Sequence, residues 1–354
     1  MKSGHYPRCH PAGTILDQTP GLFDTQLDPD FAEDWRSMAI WKHSRKDAIL
    51  AAISVAQFAI TFTLASTWNL MPLAGRITGG VLLTAMMAYN TIVVSHLFTH
   101  MPWFVSSKLN AVVSIINSVN IGQSVQAYEL THVRNHHRYN NDRPEDGQST
   151  RDRSSTYRHG KNGQHEPLVS YALRGAVDSI ISRARELAMV VRLWRVGARE
   201  ENLLALASKK PDRNRRELRQ IQIDRAAHCL ALVGLAVISW QWTVLVYLPA
   251  FFCALTLVNV QNYYRHYGAN PDSRMTDSVS HYGRFYNLVT FNDGYHQEHH
   301  LSPATHWSQM PAINARHQER LATQPRIISP VPAMLGFLDR RRSLLHEGQT
   351  KDPS

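Results

Sequence analysis

The sequence predicts an all-α integral membrane protein in which four transmembrane helices form two hairpins. Two long apolar segments follow each other near residues 47–68 and 77–98, and a third stretch, residues 226–260, contains no charged residue. A helix needs about 20 predominantly apolar residues to cross the hydrocarbon core of a bilayer. The mean hydropathy of the chain is −0.30, so these segments make up only part of its 354 residues.

The first two apolar segments predict one hairpin. Residues 47–68 carry no charge after Asp47, and a short break with Pro72, Gly75 and Arg76 precedes the second segment. Two helices joined by such a short turn run antiparallel. The chain is therefore expected to return to the side of the membrane on which it started.

The uncharged residues 226–260 predict the second hairpin. As one helix they would be about 52 Å long at about 1.5 Å per residue, which exceeds a hydrocarbon core of about 30 Å. The polar Gln241 and the helix-breaking Pro249 favour two shorter spans instead, near residues 226–242 and 244–262.

Positive charge is distributed asymmetrically about these spans. Of the 38 Lys and Arg residues, only Arg76 lies in a predicted outer turn. Basic residues are enriched on the cytosolic side of membrane proteins. The sequence therefore predicts a cytosolic segment 1–46, a membrane domain 47–305 and a cytosolic tail 306–354, in the inner membrane if the source is bacterial.

Composition excludes several classes of protein. The net charge is +10, but no basic run is interleaved with aromatic residues, so membrane surface or an acidic protein partner is favoured over nucleic acid. The cysteines Cys9, Cys229 and Cys253 lack the spacing of a zinc ribbon or an iron–sulfur site. The N-terminal residues are polar and contain no early apolar segment, so a cleaved signal peptide is not expected.

Three further segments are predicted to be helical. Residues 103–122 are moderately apolar and predict an interfacial or re-entrant helix. Residues 171–195 predict an amphipathic helix, for which packing on the cytosolic part and membrane contact remain open. Residues 332–345 predict another interfacial helix.

Nine of the 19 histidines form four groups at the cytosolic ends of the predicted spans. Residues three and four apart on a helix share a face, so each group can aim its rings at one place. Adjacent histidines diverge by about 100°, and each could reach a different metal ion, as a two-metal site requires. Neutral imidazole binds iron, zinc, copper or nickel. The groups are His96 and His100; His132, His136 and His137; His266; and His296, His299 and His300.

The other ten histidines are expected to be mostly surface or packing residues: His5, His10, His43, His159, His165, His228, His281, His306, His317 and His346. Two non-enzymatic classes of protein are alternatives for the nine clustered histidines. A haem cytochrome places histidines inside its spans, and a zinc or nickel transporter needs polar residues at the bilayer midplane. Here the histidines cluster at the span ends, and Asn90 is the main polar interior residue.

These motifs resemble those of the membrane fatty acid desaturases and of their relatives, the alkane hydroxylases. Residues 292–303, NDGYHQEHHLSP, resemble the family's third histidine box, and residues 136–144, HHRYNNDRP, resemble the second. Asn262 with His266 resembles an additional ligand position of acyl-CoA desaturases. The resemblance covers about residues 47–305.

The resemblance implies a cytosolic helical cap that holds two non-haem iron ions. The implied ligands are His96, His100, His132, His136, His137, His266, His296, His299 and His300. Many desaturases have H-x4-H in the first box and H-x2-H-H in the second, whereas three residues intervene in both boxes here. This spacing is closer to that of alkane hydroxylases and leaves the reaction outcome open.

The resemblance further implies an O2-dependent oxidoreductase of a fatty acid, a fatty-acyl thioester or a lipid-linked chain. Desaturation is ranked first, hydroxylation second and oxidative decarboxylation to a terminal alkene close behind. The sequence contains no flavin motif, cytochrome b5-like segment or cysteine cluster. Electrons are therefore expected from a separate ferredoxin, rubredoxin or cytochrome with its reductase, and an acidic donor would suit the basic cytosolic face.

No catalytic residue is predicted beyond the metal ligands, but polar neighbours are expected to orient them. A group that accepts the far N–H of a ligating imidazole fixes the tautomer of that ring. The candidates for this role are Glu129, Asp142, Asn262, Asp293 and Glu298. A dry, apolar channel is expected to hold the substrate chain and exclude water.

Overall fold

The structure, a computed structural model, describes residues 40–145, 148–191 and 197–347. Most of the predicted N-terminal segment, including His5, His10 and Cys9, lies outside these residues. Among the described residues, four helices are long and apolar enough to cross a membrane: Asp47–Leu70, Leu73–His100, Pro211–Ile238 and Trp240–His266. We call them the first to fourth spans.

The first and second spans are joined by Met71 and Pro72. Pro72 directly precedes the second span, which begins at Leu73 rather than near residue 77 as predicted. The two spans consist of α1 (Asp47–Thr67) with a 3-10 turn (Trp68–Leu70), and of α2 (Leu73–Tyr89), a π-helical turn (Asn90–Val94) and α3 (Ser95–His100).

The polar Asn90 inside the second span has buried partners. Its Nδ2 donates to Oε1 of Gln57 at 2.9 Å, and its Oδ1 accepts the hydroxyl of Ser95 at 2.6 Å. A π-helical turn begins at Asn90 and widens the helix by one residue. The turn and these hydrogen bonds set the rotation of α3, which carries His96 and His100.

The segment after the second span is also helical. It consists of α4 (Ser107–Ile121), α5 (Val125–Thr131), a π-helical turn (His132–His136) and α6 (His137–Tyr139). The hydroxyls of Ser106 and Ser124 accept backbone N–H groups at the starts of α4 and α5. Helix α4 lies within the predicted segment 103–122 and packs on the first and third spans.

Helix α7 (Leu168–Val190) precedes the short α8 (Ala198–Leu204). It corresponds to the amphipathic helix predicted over 171–195, whose last residues lie outside the described part. Helix α7 packs along the fourth span, where Nδ2 of Asn259 donates to the carbonyl of Ala172 at 3.1 Å.

The third and fourth spans differ from the prediction in their limits. The third span is α9 (Pro211–Ile238), which begins well before residue 226. Charged side chains in its first part, such as Arg225, form buried ion pairs that allow the helix to extend this far. The chain breaks at the extended residue Ser239 and not near residue 243. The fourth span comprises α10 (Trp240–Trp242), a π-helical turn (Thr243–Tyr247) and α11 (Leu248–His266).

Pro249 does not break the helix, contrary to the prediction. It is the second residue of α11 and directly follows the π-helical turn. A proline ring clashes with the carbonyl four residues earlier, and a wider turn relieves that clash. A buried apolar core then joins the second, third and fourth spans through Leu83, Met87, Leu235 and Trp242.

The described residues that follow the fourth span form short helices and one small sheet. Residues Val279–Ser280 (β1) and Ile327–Ile328 (β2) form a parallel two-stranded sheet, with Val279 opposite Ile327. The helices are α12 (Arg284–Val289), α13 (His296–Leu301) and α14 (Met310–Ala322). The helix predicted over 332–345 is a 3-10 segment, Ala333–Leu338, that packs on α11.

Candidate metal centre

Nine histidines converge where the ends of α3 and α11 meet α6, α13 and the π-helical turn after α5. Eight of them form two groups, in each of which one ring nitrogen per residue lies within 4.8 Å of the others. The five-histidine cluster is His96, His100, His132, His137 and His299, and the three-histidine cluster is His136, His266 and His300. Both adjacent pairs, at 136–137 and at 299–300, are divided between the clusters.

His296 lies beside the clusters but belongs to neither. Its Nε2 is 3.4 Å from Nε2 of His266, and its Nδ1 is a buried atom without a hydrogen-bond partner among the described residues. The structure therefore brings all nine predicted histidines together, with His296 at the edge of the three-histidine cluster.

The ring nitrogens of the five-histidine cluster approach one another closely. His96 donates from Nδ1 to the carbonyl of Ile92 at 3.1 Å, so its Nε2 carries a lone pair when the ring is neutral. That Nε2 lies 3.2 Å from Nε2 of His299, which lies 3.0 Å from Nε2 of His137. A neutral imidazole has only one N–H, so lone pairs converge at this point. This donor set fits a metal cation.

The protonation states also suit metal binding. Burial is the largest cause that lowers the pKa of His132, His137, His296, His299 and His300 well below the usual value. Rings with such pKa values are neutral at neutral pH. Metal ions bind the neutral imidazole, because the ligating nitrogen must carry its lone pair.

The ring of His136 is oriented by a carboxylate that was not among the predicted orienting residues. Oδ2 of Asp152 lies 2.7 Å from Nδ1 of His136 and also accepts the backbone N–H of Asn141 at 2.8 Å. Burial alone would raise the pKa of Asp152, but His136 and hydrogen bonds from Ser154 hold it below the usual range. The ionised carboxylate accepts the Nδ1–H, which leaves Nε2 of His136 for a metal.

The rings of His266 and His300 face Asp277, which was also missed. Nδ1 of His266 donates to the backbone carbonyl of Asp277 at 3.0 Å. The carboxylate Oδ1 lies 3.7 Å from Nδ1 of His300. Burial raises the pKa of this carboxyl group to about 6.

Among the five predicted orienting residues, Asp293 lies beside a histidine. Its Oδ1 is 3.7 Å from Nδ1 of His96, and its other oxygen pairs with Arg265 and accepts the hydroxyl of Tyr286 at 2.9 Å. Burial alone would raise the pKa of Asp293, but the guanidinium of Arg265 lowers it below the usual value. The pair places an ionised carboxylate next to the five-histidine cluster.

Asp142 and Glu298 hold segments of the chain in place. Asp142 accepts the backbone N–H of Arg151 at 2.9 Å and that of Asp152 at 2.8 Å, and so positions the loop that carries Asp152. Glu298 accepts the side chains of Tyr282 and Asn314, each at 2.6 Å, and so anchors α13.

The last two candidates have other partners. Glu129 pairs with Arg134 at 3.1 Å. Asn262 donates to the hydroxyl of Tyr171 at 2.7 Å and to the carbonyl of Ser154 at 3.2 Å. Among the described residues, the hydrogen bonds and ion pairs of these four candidates, Glu129, Asp142, Asn262 and Glu298, reach groups other than the nine histidines, and their orienting role stays a prediction.

His165, expected to be a surface or packing residue, is buried near the end of α11. Its Nε2 accepts the backbone N–H of Gly268 at 3.0 Å, and its Nδ1 lies 2.7 Å from the hydroxyl of Thr156. The neutral ring thus fixes the turn that follows His266.

A cavity of about 260 Å3 lies against both clusters, with His132, His136 and His296 in its wall. The rest of the wall combines polar side chains with aliphatic ones such as Ile92 and Val258, and the apolar channel expected for the substrate stays a prediction. A smaller cavity of about 20 Å3 lies against His96 and His100, next to aromatic side chains that include Trp103.

One family model matches the sequence. Its description is fatty acid desaturase, and it matches residues 72–331, which is more than half of the chain and contains all nine histidines. No curated protein sequence matches the chain.

Proposed function

The chain belongs to the fatty acid desaturase family, and on that basis we propose that it is an O2-dependent, non-haem di-iron oxidoreductase that oxidises a fatty-acyl chain. The observation that carries the proposal is the convergence of nine histidines, eight of them in two clusters. Imidazole nitrogen is a suitable ligand for iron, and two clusters offer two positions.

Bound iron would supply the activation of O2 and the oxidation of an unactivated C–H bond. The five-histidine cluster would hold one ion, and the three-histidine cluster, with His296 beside it, would hold the other. The chain's own acceptors keep the rings in place. Asp152, the carbonyl of Asp277 and the carbonyl of Ile92 each face an Nδ1 and leave the Nε2 of that ring toward its cluster.

Desaturation is the outcome we rank first, because the matching family model carries that description. Hydroxylation and oxidative decarboxylation to a terminal alkene remain alternatives, because the spacing of the first two histidine boxes is closer to that of alkane hydroxylases. We further propose that a separate ferredoxin, rubredoxin or cytochrome, with its reductase, supplies the electrons, and that an acidic donor binds the basic cytosolic face.

Four apolar helices and the family membership identify an integral membrane protein. We propose that both termini and the histidine clusters face the cytosol. The support is the placement of Lys and Arg: among the described residues, Arg76, near the start of α2, is the one basic residue at the other end of the spans.

Product analysis tests the proposed reaction. The full-length protein, purified in detergent and loaded with iron, is given O2, a reductase–ferredoxin pair and saturated fatty acids or their CoA esters from decanoyl to stearoyl. Gas chromatography–mass spectrometry of headspace and extract is expected to show an internal alkene. An alcohol would instead indicate hydroxylation, and a chain-shortened terminal alkene would indicate oxidative decarboxylation. Both outcomes would keep the proposed metal site.

A double variant, His136→Ala with His299→Ala, removes one ring from each cluster and is expected to abolish the product. The control is His317→Ala, a change on α14 away from both clusters. Full activity of the double variant would contradict the proposed role of the two clusters. A preparation that forms no product and shows a haem absorption band would favour a non-enzymatic haem-binding membrane protein instead.

A further inference from the structure

An apolar groove runs along the outside of the second and fourth spans, at the end opposite to the histidine clusters. Most of its lining residues lie within residues 73–84 of α2 and residues 245–253 of the fourth span. The clusters lie at the other ends of these spans, near His96 and His266. At about 1.5 Å per residue, residue 84 is about 18 Å from His96 along the helix. The groove is therefore separate from the candidate metal centre.

The groove is formed where the two spans approach each other closely. An added Cβ at Gly80 of α2 would lie 3.4 Å from Cγ1 of Val246 in the fourth span. Ile77, Val81 and Leu245 stand beside this contact and are 60–65% exposed. Because these side chains belong to membrane spans, the groove opens to the acyl chains of the bilayer.

The dimensions of the groove fit one alkyl chain. Residues 73–84 span about 17 Å, which is about half of a hydrocarbon core of about 30 Å and thus the depth of one leaflet. The groove has a volume of about 320 Å3, which over about 17 Å corresponds to a mean cross-section of about 19 Å2. An α-helix with its side chains is at least about 10 Å in diameter and would need about 80 Å2. A helix of another protein is therefore too thick to fill the groove.

A guanidinium group lies at the headgroup end of the groove. Arg76 and Trp68 both line this end, and Cζ of Arg76 lies 4.5 Å from the centroid of the Trp68 ring. Nε of Arg76 donates to the carbonyl of Met71 at 2.9 Å. Among the described residues, neither Nη atom of Arg76 has a hydrogen-bond partner. Two such atoms can bind a phosphate group in a bidentate manner.

The charge of Arg76 is not balanced by the neighbouring sequence. The chain around the two connections at this end, residues 66–76 and 236–245, contains no Asp or Glu and no second Lys or Arg. A charge at the edge of the hydrocarbon core is costly without a partner, and arginine side chains extend toward the headgroups. An anionic group of the bilayer is therefore complementary to Arg76.

We propose that the groove binds an anionic phospholipid, with one acyl chain between the second and fourth spans and the phosphate on Arg76. The shape of the groove selects a single chain of one leaflet, and the guanidinium group selects a headgroup with a net negative charge. Since the site lies away from the histidine clusters, the inference does not depend on the proposed oxidation.

Photo-crosslinking locates the bound lipid. Full-length protein is reconstituted in vesicles of dioleoylphosphatidylcholine with a trace of a photoactivatable lipid. The probe is either phosphatidylglycerol or phosphatidylcholine, with the same diazirine-bearing acyl chain, and mass spectrometry measures its attachment to residues 73–84 and 245–253. From the contribution of one arginine near a membrane surface, the phosphatidylglycerol probe is expected to label these residues about fivefold more than the phosphatidylcholine probe.

Substitutions of Arg76 separate its charge from its packing. Arg76→Gln is expected to lower the ratio of the two labelling yields to about one. Arg76→Lys keeps the charge and is expected to keep most of the preference. The control is Arg216→Gln, since Arg216 is exposed in the charged first part of α9, at the other end of the spans. The control is expected to keep the ratio of the natural protein.

A substitution at Gly80 tests the groove itself. Gly80→Leu places a large side chain between the spans, so labelling of the groove by both probes is expected to fall. The control is Gly234→Leu, because an added Cβ at Gly234 in α9 would meet no atom within 4 Å. The control is expected to be labelled like the natural protein.

Three results would overturn the inference. The first is equal labelling of the groove by the two probes in the natural protein, and the second is a ratio that Arg76→Gln leaves unchanged. The third concerns a second copy of the chain as the occupant. Chemical cross-linking of two copies through Cys253, which lines the groove, together with an absence of lipid labelling there, would identify that occupant instead.

Discussion

Nδ1 of His136 lies 2.7 Å from Oδ2 of Asp152, and both side chains are buried. The carboxylate also accepts backbone N–H groups from Asn141 and Ser154, so it is fixed independently of the ring. Partners of this kind set the tautomer and orientation of a metal-ligating histidine. Asp152 is therefore expected to act as a positioning residue for the three-histidine cluster.

Asp152→Asn should weaken iron binding about 10- to 100-fold, because the neutral amide orients the ring less strongly than the ionised carboxylate. The measurement is the iron retained by the purified protein against increasing concentrations of a chelator. The control is Asp212→Asn, since Asp212 is 80% exposed and pairs with Arg215 on the surface. Equal iron retention in both variants would exclude this role for Asp152.

Gly122→Ala should destabilise the protein by about 2–4 kcal/mol. Gly122 ends α4 with a φ of 66°, and an added Cβ would lie 2.6 Å from the ring of Phe251 in the fourth span. Both the left-handed backbone and the overpacking oppose the substitution. The measurement is the midpoint of thermal unfolding in detergent.

Gly234→Ala provides the matched control for that substitution. Gly234 lies within α9, and an added Cβ would meet no atom within 4 Å. Alanine favours the helix by about 1 kcal/mol over glycine, so the midpoint should stay the same or rise. A similar fall in both variants would contradict the packing described between α4 and the fourth span.

His165→Gln should reduce the loss of stability at acid pH. Burial lowers the pKa of His165 from 6.5 to about 2, with further lowering from His346 and Arg143. Below pH 6.5 the unfolded chain therefore binds a proton that the folded protein does not, and the folded state loses stability as the pH falls.

Between about pH 6.5 and 5 this residue should account for about 2 kcal/mol of that loss. Glutamine does not titrate, so the unfolding midpoint of the variant should fall less over this range than that of the natural protein. Identical pH dependence of the two proteins would show that His165 does not titrate as its buried position implies.

Cysteine labelling tests the proposed orientation in the membrane. Leu70 is exposed at the connection between the first and second spans. In a chain without its three natural cysteines, Leu70→Cys should react with an impermeant maleimide on intact cells. Gln318→Cys on the exposed side of α14 should react only after the membrane is permeabilised. The reverse pattern would place the clusters on the outer side.

The convergence of the nine histidines was predictable from the sequence because it depends on residue spacings within single helices. Spacings of three and four residues place side chains on one helical face, and the apolar segments place the helix ends together. The number of spans was predictable for the same reason. The residues at which the spans begin and end were not predictable. The first part of α9 is charged and gives no apolar signal, and it is stabilised by contacts such as that of Arg225 with Glu200.

The orienting carboxylates were harder to predict. Asp152 lies 16 residues after His136 in a loop, and no regular spacing relates such a residue to a ring. Asp277 likewise follows α11 in an irregular segment. A charged residue at the end of an apolar span is a usable signal, since a buried charge needs a partner. Arg265 carries that signal, and its partner is Asp293.

The iron content of cluster variants tests the central claim most directly. We would measure iron per chain by inductively coupled plasma mass spectrometry in the natural protein and in two variants. One variant, His266→Ala with His300→Ala, leaves one ring in the three-histidine cluster. The other, His100→Ala with His132→Ala and His299→Ala, leaves two in the five-histidine cluster. The surface variant His159→Ala with His317→Ala is the control.

Two separate positions predict about two irons per chain in the natural protein and the control, and about one iron in each cluster variant. Full iron content in both cluster variants, or zinc or haem in place of iron in the natural protein, would contradict the di-iron account.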